Sequence, residues 1–318
     1  MAEIVLALAT SHTPQLSVAD WRLLQTKDET DPRLDYPALL AGARADIARE
    51  TTPERFRKRF DACQHALRVL GDRLREAGPD VIVTLGDDQH EQFLDDNMPT
   101  FAVYHGPELA VPPRVGAMPE WKKAEQRGWT ETAPVYQNHT ELAEYLIAWL
   151  SDHEFDIART NRLREGIGHA FSFLYRRILP GGTLPMVPVM VNTYYPPNQP
   201  TPGRCYDLGR CIRQALESWD SDVRVAVMAS GGLSHFVVDE DIDRATLKAL
   251  AEKDVDILRS LPREKLRSGT SEILNWVALG GAAEPMEMTL VDYVPGYRTP
   301  AGTGCGMGFA YWEPSSAR

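Results

Sequence analysis

The sequence predicts a layered α/β fold, and three observations predict it. Short apolar runs alternate with segments of helical period, two of those runs end in histidine-bearing turns, and no linker-like tract separates the chain into units. Ile4–Ala9 reads as the first strand and runs into Thr10-Ser11-His12-Thr13-Pro14-Gln15. Asp20–Arg49 is polar and charged, an elaboration that reads equally as surface decoration or as a lid or subunit contact. Between Glu54 and Ala77, Phe56, Phe60, Cys63, Leu67, Leu70 and Leu74 recur every three or four residues, which is helix period. Thr51 with Glu54 reads as its capping box, Pro53 suits the first turn, and Gly78 suits its end.

Further strands are expected at Val81–Leu85, Thr100–Tyr104, Val187–Asn192, Val223–Ser230, Met288–Tyr293 and Gly306–Trp312. Helices are expected at Leu142–Leu150, Phe171–Ile178, Leu208–Trp219, Arg244–Ser260 and Glu272–Leu279. Residues 107–137, rich in Pro, Trp and charge without a clear period, form a second elaboration. The Pro196–Gly203 tract has periodic apolar segments on both sides and reads as an internal loop, so residues 1–318 are expected to form one domain.

Composition narrows the function. A formal net charge of -11 argues against a nucleic acid or an anionic membrane surface as partner. No apolar run reaches membrane-spanning length, and the first residues lack the basic region of a signal peptide. The four cysteines show no CxxC spacing, which suits thiols in a reducing cytoplasm better than a zinc site or a disulfide framework.

The chemistry points to the strand ends. Ser230-Gly231-Gly232-Leu233-Ser234-His235 follows an apolar run, so His235 is expected just past the carboxyl end of a strand, where α/β folds bind ligands. A lone histidine there is more often structural. A second one, His12, in the same kind of turn reverses that reading. Among the eight histidines, His90 and His169 also lie in loops next to expected elements, whereas His65, His139 and His153 read as structural or solvated. A metal site needs neutral imidazoles and a carboxylate on separate rigid elements, and two histidines with one carboxylate leave open positions that suit non-haem Fe(II). His12, the Asp87–Glu91 cluster and Glu272 offer such donors, and spacing alone does not choose among them. Arg204, Arg210 and Arg213 read as a solvated helix face rather than as partners of a substrate carboxylate.

Taken together, several segments resemble the class III extradiol ring-cleavage dioxygenases, typified by the catalytic subunit of protocatechuate 4,5-dioxygenase. The matching pieces are Ser11-His12, Pro79–Ile82 leading to Asp88, Asn97–Ala102, Gly168-His169, Val191–Pro197, Gly231–His235 and Ser271-Glu272 through Trp276. The resemblance implies a single α/β domain around a mixed sheet and an Fe(II) cofactor. It implies a catechol-type substrate (protocatechuate, gallate or methylgallate-like) opened with O2. It also implies that His12 and Glu272 are metal ligands, His235 the acid–base catalyst, and His169 a second histidine of the substrate pocket.

The middle ligand departs from the family pattern, because Gln89 rather than His90 occupies its slot in an ungapped match. Three readings follow: His90 re-aimed by a bulge, which is slightly favoured; Gln89 through its amide oxygen; or compensation by Asp87, Asp88 or Glu91. The departure suggests a divergent branch. A homo-oligomer is expected. Some relatives use a separate small α subunit, and no such segment is evident here. The rival readings are a zinc-type hydrolase and a non-catalytic binding protein on the same scaffold.

Overall fold

A computed structural model describes residues 1–111, 134–164 and 166–315. In chain order the strands are β1 (Glu3–Thr10), β2 (Val81–Asp87), β3 (Phe101–Tyr104), β4 (Glu108–Ala110), β5 (Val135–Gln137), β6 (Ala158–Thr160), β7 (Met186–Val191), β8 (Arg224–Ser230), β9 (His235–Val237), β10 (Met286–Tyr297) and β11 (Thr303–Pro314). The α-helices among the described residues are α1 (Arg22–Thr30), α2 (Tyr36–Gly42), α3 (Pro53–Ala77), α4 (Thr140–Asp152), α5 (His169–Phe173), α6 (Pro202–Ser218), α7 (Glu240–Glu252), α8 (Val255–Arg259) and α9 (Ile273–Ala282).

The main sheet is mixed, in the order β10-β11-β1-β8-β2-β7-β3-β6, with β9 paired to β11. β1, β8, β2 and β7 are parallel neighbours, while β11 and β3 join antiparallel on either side of them. The central strands are covered on both faces. Along β1, Leu6 and Leu8 enter one core with Phe56 and Leu67 of α3, and Ala7 and Ala9 enter the other with Ile212 of α6 and Val277 of α9. β2 and β8 alternate in the same sense. Three adjacent parallel strands, β1, β8 and β2, therefore end side by side, and their outgoing loops face one another.

The structure adjusts several expected boundaries. The cap of α3 is Thr52, whose hydroxyl accepts from the Arg55 amide at 3.3 Å, one residue later than the Thr51 reading. The single helix expected over Arg244–Ser260 is two, because Lys253 turns left-handed at φ 57° and Asp254 caps a new start. The stretch after α5 winds as a π-helix over Leu174–Ile178. Asp20–Arg49 carries α1, α2 and a 3-10 turn. Of the 107–137 elaboration, residues 112–133 lie outside the described residues, and its two ends pair as β4 and β5. All four cysteines are buried and free, and no helix among the described residues is long and apolar enough to cross a membrane.

Candidate metal centre and active site

Five loops and turns converge at the carboxyl ends of β1, β8 and β2. His12 leaves β1 with its Nδ1 3.0 Å from the Ser230 hydroxyl, at the end of β8. That contact turns its Nε2 inward, to 3.3 Å from Glu272 Oε2 and 3.2 Å from Nε2 of His169. His169 opens α5 and is held from behind by Glu91, which accepts from its backbone amide and from Nδ1 at 2.9 Å. An imidazole fixed through one nitrogen by an oxygen partner, with the other nitrogen aimed inward, is the arrangement metal-ligating histidines adopt.

Glu272 sits at the N-terminus of α9, fully buried, and accepts from the Gly232 amide at 2.6 Å. Burial alone would raise its pKa, but His235 and His12 outweigh that and hold it down at about 2. Asp87, the last residue of β2, is also fully buried. Burial and then the Glu272 charge push it up to about 6. Gln89 bridges the two, its amide donating to Asp87 at 3.0 Å and to Glu272 at 3.1 Å. Asn275, from α9, reaches Asp87 Oδ1 at 3.4 Å. The donor atoms of His12, Asp87 and His169 lie within 4.8 Å of one another, a group able to hold a metal ion.

His235 comes from the Gly231–Ser234 turn. Its Nδ1 donates to the Leu233 carbonyl at 2.9 Å, so Nε2 faces the cluster, 3.4 Å from Glu272 Oε2 and 3.6 Å from Cys305 Sγ. Close approach explains the glycines around it. A Cβ at Gly232 would stand 2.1 Å from His235 Cε1, and one at Gly269 would stand 2.4 Å from His235 Cβ. Burial would lower the His235 pKa, but the Cys305 sulfur and Glu272 prevail and push it up to about 10. For His169, burial is likewise outweighed, chiefly by Glu91, and its pKa rises to about 9.

The structure brings His12, His169, His235, Glu272 and Gln89 together and leaves His90 out. His90 adopts φ 59°, a left-handed turn that sends its ring away from the cluster. There it stacks on Tyr195 at 3.7 Å and reaches Asp95 at 3.1 Å. Placement therefore runs against the sequence preference for His90 over Gln89. Two carboxylates weighed as substitutes are engaged elsewhere: Asp88 accepts from the amides of Gln92 and Phe93, and Glu91 holds His169. Sequence reasoning singled out none of Ser230, Asn275, Cys305 or Tyr194 for this site. Ser230, Tyr194 and Asn275 lie within segments quoted from the sequence without a role being given to them, and Cys305 is brought in by β11. His139 caps α4 and His153 stacks on Trp149, in keeping with structural roles. Arg204 lies over Phe155 and Arg213 pairs with Glu284, both on α6 and absent from the cavity lining.

His12, Gln89, His169, His235 and Glu272 form the floor of a cavity of about 410 Å³, lined in addition by Thr13, Phe173, Tyr194 and Phe236. That volume suits a single substituted ring.

A buried carboxylate fixes the turn that carries His235. Asp243 on α7 accepts from the Ser234 amide, the Ser234 hydroxyl and the Tyr293 hydroxyl, each at 2.7 Å. Burial pushes its pKa from 3.8 up to about 6 despite these donors. An acid whose pKa is higher folded than unfolded is favoured by protonation, so its contribution to stability falls as pH rises from about 4 to about 6. In Asp243→Asn that component is absent. The difference in slope, read from unfolding curves across this window, integrates to about 3 kcal/mol at most; parallel pH curves for the two proteins would contradict the assignment.

Residues 49–305 match the family model described as the catalytic LigB subunit of aromatic ring-opening dioxygenase. The chain is 29% identical over 161 residues to gallate dioxygenase of Pseudomonas putida, covering 50% of this chain and 45% of that one. It is 28% identical over 176 residues to 2,3-dihydroxyphenylpropionate/2,3-dihydroxicinnamic acid 1,2-dioxygenase of Comamonas testosteroni, covering 55% and 49%. The like-named protein of Photorhabdus laumondii is 28% identical over 173 residues, covering 54% and 48%. The chain thus spans about half the length of the curated relatives it matches.

Proposed function

The chain belongs to the family of catalytic LigB subunits of aromatic ring-opening dioxygenases, and from that premise we propose that it opens the ring of a catechol-type substrate with O2, using Fe(II). One observation carries the reading. Two fully buried carboxylates, Asp87 and Glu272, converge with the inward nitrogens of His12 and His169, and all of these but Asp87 line a cavity of one-ring size. Among the described residues no Lys or Arg forms an ion pair with either carboxylate. Two carboxylates taken out of water need compensating positive charge. A divalent ion on mixed imidazole and carboxylate donors supplies it.

His12 and Glu272 would hold the metal. Asp87 is the third donor in this reading, with Gln89 spanning the two carboxylates. Fe(II), when bound, acts as a Lewis acid on the catechol oxygens and as the redox partner of O2. His235 presents Nε2 to the cavity because Leu233 occupies its Nδ1. It takes a phenolic proton at Nε2 and later returns one to the rearranging ring. Glu272, once its charge is shared with a cation, no longer pins a proton on His235, which leaves that nitrogen free to accept and release one near neutral pH. His169, fixed through Glu91, donates from its inward face and orients the ring. Phe173 and Phe236 give the cavity apolar walls.

The test is oxygen uptake by protein reconstituted anaerobically with Fe(II), against protocatechuate, gallate, 3-O-methylgallate, homoprotocatechuate and catechol. Stoichiometric uptake with a ring-opened product supports the reading. Bound iron with no uptake on any of these, or activity only as a zinc-loaded hydrolase, overturns it.

A further inference from the structure

The residue after His235 stands in a strained conformation. Phe236 has φ 63°, in the left-handed region that a bulky side chain enters only where its surroundings hold it. Strand pairing holds it on both sides. His235, Phe236 and Val237 of β9 pair with Cys305, Gly304 and Thr303 of β11, and the Val238 amide donates to the Gly302 carbonyl at 3.0 Å. Consecutive side chains of a regular strand point to opposite faces. Here the left-handed residue breaks that alternation, and the adjacent residues His235 and Phe236 both line the active-site cavity.

The guanidinium of Arg33 lies over the Phe236 ring, 4.4 Å from its centre. Arg33 also lines the cavity while its side chain is 57% exposed, so the pair stands where the cavity opens to solvent. A two-point contact with Asp31, through Nε at 2.8 Å and Nη2 at 2.5 Å, fixes the guanidinium plane. Asp31 directly follows α1, which is fastened to the β10–β11 turn. There the buried Asp28 accepts from Arg298 at 2.8 and 2.9 Å and from the Thr303 hydroxyl at 2.6 Å. We infer that Phe236, braced by Arg33, is the specificity-determining residue at the cavity mouth, limiting the length of the substituent that the ring carries opposite its hydroxyls. The inference rests on the ring-opening reading above and deepens it. With the two hydroxyls at the floor, a substituent on the opposite edge of the ring points toward the mouth. A phenyl ring held by a cation–π contact and a strained backbone is slow to give way, so it selects by size. A compact substituent fits behind it, and a long one meets it.

The experiment compares wild type, Phe236→Gly, Phe236→Ala and Arg33→Ala, each as the full chain. The probes are protocatechuate and caffeate, a catechol whose carboxylate sits at the end of a longer, unsaturated chain. Two ratios of caffeate to protocatechuate are read. One is the ratio of kcat/KM in the Fe(II)-loaded enzyme, and the other is the ratio of binding constants by calorimetry under argon, where no turnover occurs. Phe236→Gly is expected to raise both ratios about tenfold, the discrimination that a small steric difference in a pocket gives. Arg33→Ala is expected to move them the same way by less. Glycine takes a φ of 63° without steric cost, so Phe236→Gly is expected to melt above Phe236→Ala, which separates specificity from misfolding. Unchanged ratios in a folded Phe236→Gly, or equal changes on both substrates, overturn the inference. Failure of the ring-opening reading looks different: the binding ratio would still rise in Phe236→Gly, with no oxygen consumed on either substrate.

Discussion

His235→Ala is expected to lower kcat by roughly 10²- to 10⁴-fold while leaving bound iron unchanged, the range typical for loss of a positioned acid–base group. The argument rests on where its two nitrogens are committed. Nδ1 is spent on the Leu233 carbonyl, so Nε2 alone faces the cavity. The ring is wedged between Gly232 and Gly269, where any side chain would displace it. It is thus held in one orientation without being needed to bind the metal, and that separation is what the variant tests. Iron content by colorimetric assay and turnover by oxygen electrode are measured on the same preparation. Full activity in the alanine variant would remove His235 from the proton-transfer role. Loss of iron in parallel with activity would make it a ligand instead.

The main strands and the long helix α3 were legible because apolar period survives in elements of their length. β4, β5, β6 and β9 were not, since each is only three residues long and carries no alternation to read. At the site, His12, His169 and His235 stood out because each follows or occupies a turn of small residues at the end of an element. Glu272 stood out as the single charge opening an apolar helix. The choice between His90 and its neighbours was not legible, because it turns on one backbone angle, the positive φ of His90. That Lys27 and Arg176 line the cavity was invisible for another reason. Lys27 reaches the cavity through an Asp28–Arg298 pair whose members are 270 residues apart, and no local pattern encodes such a contact. Three-dimensional closure also supplied Ser230 and Asn275, which sit behind the donors and fix them. Motifs thus marked the atoms that meet a ligand, whereas the groups that aim them became readable only once the sheet was assembled.

Three variants distinguish ligand from bystander at the candidate metal centre. His12→Ala and Glu272→Gln are expected to weaken Fe(II) binding by more than about 100-fold, the upper end of what loss of a merely supporting partner costs. His90→Ala should keep full iron content, because its ring stacks on Tyr195 outside the cluster. Glu272→Gln is the more informative change, since it keeps shape while deleting one charge. Glu272 Oε2 stands 3.3 Å from His12 and 3.4 Å from His235, and its charge helps to push the His235 pKa up to about 10. In the metal-free protein the variant should therefore shift the His235 titration downward, a change visible by NMR without any turnover. Anaerobic titration with Fe(II) gives the affinities. Retained stoichiometric iron in Glu272→Gln, or iron lost in His90→Ala, would require a different donor set. Should only the titration fail to move, Glu272 would still be a ligand, but the path from its charge to the acid–base histidine would not exist.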